Sequence, residues 1–133
     1  VHNILPDNAQ ADCLLVVEVY TEEGATSSWP SHKHDTVLPG QETQLEETYY
    51  HRFDPPQGFA FQRVYTDDRS LDACMAPYNH DVVMVPRGYH PVAAIAGYDS
   101  YYLNVMAGAD RKWLFSWEED HAWINSPDYP RHD

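Results

Sequence analysis

Short apolar runs separated by glycine and proline are the feature of this sequence that most constrains its fold. Runs rich in β-branched and aromatic residues recur at 13–21, 45–53, 59–66, 81–86 and 100–108. No long amphipathic helical pattern lies between them. The ten tyrosines and ten prolines also favour strands and turns over long helices. The pattern predicts an all-β domain, either an antiparallel sandwich or a small barrel.

The segment 45–66 is predicted to form a β-hairpin. Its two strands, LEETYYHRF and FAFQRVYT, flank DPPQG, a turn with two prolines and a glycine. Alternation along the first strand places Glu47, Tyr49 and His51 on one face. In the second strand, Arg63 lies on the face opposite its neighbours Gln62 and Val64.

The remaining segments carry weaker signals. The stretch 22–43 is rich in Gly, Pro, Ser and Thr and predicts a long loop, whereas 67–80 predicts irregular structure. A further short strand is expected at 90–95. The tail, 109–133, contains three tryptophans and predicts a short helix or an arm that packs on the rest of the domain or on a partner.

Length, charge and cysteine content narrow the functional class. A chain of 133 residues suits one domain, and its formal charge of -13 disfavours binding to nucleic acid. No apolar run approaches the length of a membrane span, and no signal peptide is visible. Cys13 and Cys74 are far apart and form no CxxC motif, which disfavours a disulfide framework and fits a reducing cytoplasm.

Histidines and an acidic pair in three separate segments predict a metal site. His32 and His34 form an HxH pair, and in extended backbone their imidazoles point the same way. Glu46 or Glu47 opens a strand, and His90 follows the PRGYH turn. Each signal alone is weak, because such residues are usually exposed or structural. Together, three imidazoles and one carboxylate suit a divalent transition metal with positions left for water or substrate.

The joint pattern resembles the cupin family, small antiparallel jelly-roll-like β-barrels or sandwiches that bind a metal through three histidines and a glutamate. The positions of the first cupin motif are occupied by Gly24, His32, His34, Glu47 and Gly58. The second motif corresponds to HDVVMVPRGYH, which ends at His90. The strand EETYYHRF resembles a common cupin strand whose second glutamate faces the metal, which favours Glu47 over Glu46.

The chain departs from the cupin pattern between its HxH pair and the acidic pair. This gap is longer than in typical cupins, so 35–45 (DTVLPGQETQL) is expected to be an inserted loop that bulges outward. We expect this loop to lie over the metal and to help shape the substrate pocket. His90 also follows Gly88 after one residue, where two are common.

The resemblance narrows to the 5-deoxy-glucuronate isomerase family of inositol catabolism. It rests on HKHD, LEETYYHRFDPPQGFAFQRVYTDDRSLDACMA, DVVMVPRGYHPVAAIAGYDSYYLNVMAG and RKW, which cover nearly the whole chain. Members of that family contain two cupin halves, and 1–133 resembles the second, metal-carrying half. The resemblance implies one cupin domain here, with an N-terminal cupin half, a homo-oligomer or both as partners.

The family resemblance also implies a reaction, the conversion of the small anionic sugar acid 5-deoxy-glucuronate to 5-dehydro-2-deoxy-gluconate. This aldose–ketose isomerisation moves a proton through an enediol or moves a hydride directly. The implied cofactor is one divalent metal ion on His32, His34, Glu47 and His90. Zinc is favoured by analogy with related sugar-acid isomerases, and manganese, iron and nickel remain open.

Four further residues are candidates for catalysis. Arg63 is the first choice to bind the substrate carboxylate, with a surface arginine as the alternative. His51 and Tyr102, with Tyr49 beside them, are candidates for a proton shuttle, with packing in the barrel interior as the alternative.

A dioxygenase-like cupin enzyme and an inactive cupin binding module are the alternative functions. The other histidines are assigned to loops or termini: His2, His80, His121 and His132.

Overall fold

The computed structural model describes residues 1–130, so His132 lies outside the described residues. Within them the chain forms eleven β-strands and one 3₁₀ helix, Glu119–Asn125, which confirms the all-β prediction. The strands are β1 (His2–Leu5), β2 (Leu14–Thr21), β3 (Thr26–Ser27), β4 (His32–Lys33), β5 (Glu46–Asp54), β6 (Ala60–Tyr65), β7 (Asp72–Met75), β8 (Val82–Val85), β9 (Val92–Ala94), β10 (Asp99–Ala107) and β11 (Ser116–Trp117).

Two antiparallel sheets enclose the core. The larger sheet has the order β1-β2-β10-β5-β8, and the smaller has the order β3-β9-β6-β7. The strands β4 and β11 form a separate two-stranded ribbon. No helix in the described residues is both long enough and apolar enough to cross a membrane.

Alternation along the strands positions the core, as it does in sheets with one covered face. In β5, Glu47, Tyr49, His51 and Phe53 are buried, and the residues between them are exposed or half-buried. This arrangement confirms the predicted face of that strand. The main core cluster joins both sheets and consists of Val19, Tyr49, Phe53, Ala60, Val64, Val83, Val85, Val92 and Tyr102.

The hairpin predicted for 45–66 is wrong, although both of its strands exist. The strand β5 pairs with β10 and β8, whereas β6 pairs with β7 and β9. The turn after Asp54 therefore carries the chain from one sheet to the other, and the two strands face each other across the core. Alternating burial looks the same in both arrangements, which is why the pattern did not distinguish them.

The segment 67–80, predicted to be irregular, contains the strand β7, whose sequence DACM is too short and too polar to give a clear signal. The tail contains the 3₁₀ helix Glu119–Asn125, in line with the short helix that was one of its two predicted forms. In the tail, Trp117 pairs with His32 across the ribbon of β4 and β11. Arg111 donates hydrogen bonds to backbone carbonyls in the N-terminal segment, including those of Leu14 and Ala9, both at 2.7 Å.

Candidate metal centre

The four residues expected to bind metal converge at one point between the sheets. Nitrogen atoms of His32, His34 and His90 all lie within 4.8 Å of one another. The Oε2 atom of Glu47 lies 2.9 Å from Nε2 of His34 and 3.0 Å from Nε2 of His90. All four side chains are buried. The structure thus brings the predicted set together from β4, β5 and the turn that follows β8.

Backbone carbonyls determine which ring nitrogen of each histidine faces the cluster. The Nδ1 atoms of His34 and His90 lie 3.2 Å and 2.9 Å from the carbonyl oxygens of Leu45 and Gly88, and Nδ1 of His32 lies 3.4 Å from that of Pro30. A carbonyl can only accept, so each Nδ1 carries the proton. In the neutral imidazole each Nε2 then has a free lone pair, the arrangement typical of metal-binding histidines.

The atoms at the centre of the cluster fit a divalent cation. Nε2 of His34, Nε2 of His90 and Oε2 of Glu47 are buried and form no well-directed hydrogen bond, although each nitrogen lies within 3.0 Å of that oxygen. Buried polar atoms without such partners are costly. A bound cation would satisfy all three atoms, and imidazole with carboxylate is a common donor set for zinc and other first-row divalent metals.

The cluster also perturbs the ionisation of its members. Burial, reinforced by His90, lowers the pKa of His32 to about 3. Burial opposes ionisation of Glu47, but the charges of His90 and His34 more than offset it and hold its pKa well below the usual range. For His34, burial lowers the pKa, and the Glu47 carboxylate outweighs that effect and raises it. A bound cation would displace the proton that Glu47 favours on His34.

The side chain between the two histidines of the HxH pair fastens their segment to the rest of the domain. Nζ of Lys33 donates to Asp35 and to the buried carboxylate of Glu42, at 2.9 Å in each case. Glu42 also accepts from the backbone N–H groups of Asp35 and Thr36, at 2.9 Å and 3.0 Å. This network holds the extended backbone on which both imidazoles point inward.

The loop 35–45 does not lie over the cluster, contrary to expectation. Its tip is exposed and lines a separate groove together with Cys13 and the chain after Ala107. The loop returns to the domain at Glu42. The Glu42 carboxylate accepts hydrogen bonds from the backbone N–H groups of Asp35 and Thr36, and these bonds hold the loop against the outer side of the HxH segment. Its contribution to the site is therefore to position the segment that carries His34.

A glycine is required in the turn before His90. Gly88 has a φ of +89°, and a Cβ atom there would clash with the backbone carbonyl of Tyr65. Its N–H donates to Oδ2 of Asp35 at 2.8 Å, and its carbonyl oxygen accepts from Nδ1 of His90. The close approach of this turn to β6 is what brings His90 to the cluster.

A cavity of about 290 Å³ lies beside the cluster, and His32 and Glu47 contribute to its wall. One side of the cavity is polar. The Tyr49 hydroxyl lies 3.0 Å from Ser28 Oγ, and the Tyr102 hydroxyl lies 3.3 Å from the same oxygen. The other side is apolar and includes Val17, Val19, Trp29, Trp113, Phe115 and Trp117. Such a cavity suits a small ligand with hydroxyl groups on one side.

Asn104 is a residue of this cavity that the sequence reasoning missed. It is buried on β10, and its Nδ2 donates to Oε1 of Glu47. Its Oδ1 atom is also buried and has no hydrogen-bond partner. Asn104 thus orients the carboxylate and offers one free acceptor. Its signal in the sequence was a polar side chain two residues after Tyr102, on the inward face of β10.

Two of the three candidates for a proton shuttle, Tyr102 and His51, occupy different positions. Tyr102 lines the cavity directly, and burial raises the pKa of its hydroxyl. His51 is buried behind the cluster, where burial lowers its pKa and its Nε2 lies 2.9 Å from Oε1 of Gln62. Gln62 in turn donates to the carbonyl oxygen of His90 at 3.4 Å. His51 therefore supports the site from behind, where it packs against Tyr49 and Tyr102 at ring-centre distances of 6.1 Å and 5.8 Å and connects to His90 through Gln62.

The structure does not bring Arg63 to the cluster, and this corrects its assignment to the substrate carboxylate. Its guanidinium lies on the outer face of β6 and forms two hydrogen bonds with Asp72, at 2.9 Å and 3.0 Å. It also stacks 4.0 Å from the ring centre of Tyr65. The neighbour that points inward is Gln62. Among residues 1–130, no arginine or lysine lines the cavity.

Comparisons with known sequences give two consistent matches. A sequence model of the KduI/IolB family matches residues 1–124. The chain is 63% identical over 125 residues to a protein named 5-deoxy-glucuronate isomerase from Bacillus licheniformis, an alignment that covers 93% of this chain and 46% of the relative. The chain thus spans about half the length of the curated relatives it matches.

Solved structures support the same assignment of the fold. The fold matches an IolB-like protein from Salmonella typhimurium LT2 with a TM-score of 0.92 and 79% sequence identity, covering 93% of this chain and 47% of that one. A cupin-like protein from Thermotoga maritima matches with a TM-score of 0.60 at 14% identity, covering 95% and 83%. The second match concerns the fold alone, and it confirms the cupin prediction.

Proposed function

The chain belongs to the KduI/IolB family, and from this premise we propose that it forms one half of a metal-dependent sugar-acid isomerase. The proposed reaction converts 5-deoxy-glucuronate to 5-dehydro-2-deoxy-gluconate, the interconversion that belongs to inositol catabolism. One observation carries the proposal. Four buried nitrogen and oxygen atoms converge beside a cavity with hydroxyl groups on one wall.

The proposed cofactor is a single divalent metal ion held by His32, His34, His90 and Glu47. Zinc is the first choice, because three imidazoles and a carboxylate are typical zinc ligands. Manganese, iron and nickel also bind imidazole or carboxylate groups and are the alternatives. Such an ion acts as a Lewis acid that polarises a carbonyl group and stabilises negative charge on its oxygen. Asn104 maintains the orientation of Glu47 through its hydrogen bond to Oε1.

The residues of the cavity wall are proposed to bind and orient the sugar acid. Ser28, Tyr49 and Tyr102 form a hydroxyl cluster that can exchange hydrogen bonds with substrate hydroxyls. Burial raises the pKa of both tyrosines, so they remain protonated donors at neutral pH. The free Oδ1 of Asn104 supplies an acceptor. The aromatic wall excludes water from the reacting carbons.

Tyr102 is the better candidate for moving a proton at the substrate. An aldose–ketose isomerisation removes a proton from one carbon and returns one to its neighbour. The Tyr102 hydroxyl lines the cavity and already exchanges a hydrogen bond with Ser28, so it can hold or deliver a proton there. His51 supports the site indirectly, because Gln62 connects it to the backbone of His90.

The length of the relatives supports an N-terminal cupin half as a partner, since this chain covers 46% of the Bacillus licheniformis relative. The small anionic substrate and a homo-oligomer are further proposed partners. A cytoplasmic location is also proposed, and the two free, exposed cysteines are consistent with it.

Metal analysis of the purified chain tests the centre. We expect about one metal ion per chain, since the site offers one set of four ligands. His90→Ala and His34→Ala should lose most of that metal. His2→Ala is the matched control, because His2 is exposed on β1 and lies outside the cluster. Equal metal content in all four proteins would rule out the site.

Activity requires a separate measurement in a two-half protein. A chain in which residues 1–125 replace the matching segment of the Bacillus licheniformis relative should isomerise 5-deoxy-glucuronate, as followed by NMR of the substrate and product. Bound metal without turnover would instead indicate an inactive cupin binding module. Oxygen consumption that depends on iron and an added substrate would indicate a dioxygenase.

A further inference from the structure

The outer face of the five-stranded sheet is apolar in its central part. Residues that point away from the core at its centre are almost all apolar or aromatic, and they alternate with the buried residues of the same strands. We call this set the apolar outer face, and it consists of Val16, Thr48, Tyr50, Val82, Met84, Leu103 and Val105. Met84 is 72% exposed and Val82 is 56% exposed. Water-facing positions of an antiparallel sheet are usually polar.

The register of the strands makes this face continuous. Leu103 pairs with Tyr50, and Tyr50 pairs with Val82, which forms one row across three strands. In the next row, Thr48 lies between Val105 and Met84. Val105 also pairs with Val16 on the other side, which extends that row to a fourth strand.

Charged and polar groups lie around this apolar centre. Glu18 on β2 accepts hydrogen bonds from Tyr101 and His2, and Tyr50 pairs with His80 through its hydroxyl at 2.7 Å. Arg52 is exposed near the far end of β5. An apolar centre with a polar rim is the usual anatomy of a protein interface.

The other sheet provides an internal comparison. Its outer face carries the ion pair between Arg63 and Asp72, and Cys74 is exposed beside them. Phe61 is 46% exposed there and packs against Phe59, with the ring centres 5.5 Å apart. Both sheets belong to one domain with a net charge of -13, yet only one of them has an uncharged centre on its outer side. The contrast between the two sheets indicates that the outer face of the five-stranded sheet packs against another domain or protein.

The size of the patch suits the centre of a contact between domains. With strands about 4.8 Å apart and same-face residues repeating about every 6.8 Å, four strands and two rows give the apolar outer face an extent of roughly 19 Å by 14 Å. Two such faces in contact would bury on the order of 500 Å², so part of the surrounding polar rim must join the contact to reach the roughly 600–1,500 Å² of interfaces between domains of one chain.

We infer that the companion half of the longer family chain docks on the apolar outer face. The relatives and the IolB-like structure are about twice as long as this chain, so each supplies a second segment of similar size in the same molecule. Covalent connection gives that segment a high effective concentration at the face. A second copy of this chain would instead bring another formal charge of -13 to the contact. This inference rests on the proposed two-half architecture and is independent of metal binding and activity.

Thiol labelling tests this interface without disrupting it. Met84→Cys is introduced into the 133-residue chain and into the two-half chain described above, with Cys13 and Cys74 replaced by serine in both. Reaction of the new thiol with a maleimide should be at least about 10-fold slower in the two-half chain. There the companion half covers the thiol, and the maleimide reaches it only when the interface opens locally. Phe61→Cys is the matched control on the other sheet and should react equally fast in both chains.

The possible outcomes separate the proposed occupants. Equal, fast labelling of Met84→Cys in both chains would overturn the inference. Slow labelling in both, together with a dimeric mass of the short chain by light scattering, would show that a second copy covers the face and would also overturn it. Because the readout is thiol reactivity, loss of metal or of isomerase activity leaves the result unaffected.

Discussion

The backbone N–H of Gly88 donates a 2.8 Å hydrogen bond to the carboxylate of Asp35. This bond joins two segments that are more than fifty residues apart in sequence and that carry His34 and His90. Asp35 also accepts from Lys33, and these bonds, with burial opposing, lower the pKa of its carboxyl group. The carboxylate therefore connects the two histidine segments without belonging to the cluster itself.

Replacement of Asp35 should weaken metal binding. Asp35→Ala removes the connection to Gly88, so the turn before His90 becomes free to move relative to His34. Outer residues that orient metal ligands usually affect affinity by about 10- to 100-fold, and we expect a loss at the lower end of that range. Calorimetric titration of the metal-free protein with Zn²⁺ measures it. Asp12→Ala, at an exposed position, should bind as the parent does. Unchanged affinity in Asp35→Ala would contradict a positioning role.

Replacement of Asn104 should destabilise the metal-free protein. Asn104→Ala removes the donor to Oε1 of Glu47 and leaves a buried carboxylate oxygen without that partner. The expected loss in free energy of unfolding is about 1–3 kcal/mol. Urea unfolding measures the change, and Asn8→Ala is the exposed control. A difference of less than about 0.5 kcal/mol, the range of ordinary surface substitutions, would show that the hydrogen bond contributes little.

Metal removal should lower the melting temperature. A ligand that binds only the folded state stabilises it, by about 2.7 kcal/mol when its concentration is a hundred times Kd. Chelation of the metal from the purified protein should therefore reduce Tm, and added Zn²⁺ should restore it. Differential scanning calorimetry with and without chelator provides the measurement. His34→Ala should show no response to chelator, and an equal response in that variant would place the metal elsewhere.

Replacement of Arg63 should have little effect on catalysis. Its guanidinium is 42% exposed and bound to Asp72 on the outer side of the smaller sheet. In the two-half chain, Arg63→Ala should leave KM for 5-deoxy-glucuronate unchanged and reduce stability by about 0–1 kcal/mol. Tyr102→Phe in the same chain should reduce kcat. A large rise in KM for Arg63→Ala would restore the original assignment.

The hydrogen bond between Tyr65 and Glu118 should make part of the stability depend on alkaline pH. Burial, with Glu118, raises the pKa of Tyr65 from 10.0 to about 12. Because the pKa is higher in the folded state, this contribution is complete below pH 10 and is lost as pH rises toward about 12. The stability difference between the parent chain and Tyr65→Phe should therefore shrink over that interval.

Urea unfolding of both proteins at several pH values measures that difference. The other tyrosines titrate equally in the two proteins and cancel in the comparison. A constant difference from pH 8 to pH 12 would contradict the raised pKa of Tyr65.

Alternation in the sequence was sufficient to predict the faces of the strands. It predicted that Glu47, Tyr49 and His51 share one face, since every second side chain in a strand lies on the same side, and the structure shows that this face is buried. The spacing of His32 and His34 identified two members of the cluster for the same reason. That these residues bind a metal stays a prediction.

Alternation does not specify which strands are neighbours, and this is where the sequence reasoning failed. The strands β5 and β6 were predicted to pair because they are adjacent in the chain, but they belong to opposite sheets. For the same reason the sequence did not indicate that the tail strand β11 pairs with the HxH segment. Pairing between strands that are far apart in the sequence depends on the tertiary packing of the whole chain around its core.

The sequence by itself determined the class of fold and the chemical types at the candidate centre. Both follow from local properties, namely the two-residue period of strands and the donor atoms of histidine and glutamate. Only the tertiary structure decided that Arg63 points outward to Asp72, that Asn104 orients Glu47, and that the loop after Asp35 lies away from the cavity. These relationships depend on distances between residues far apart in the chain, which no local pattern encodes.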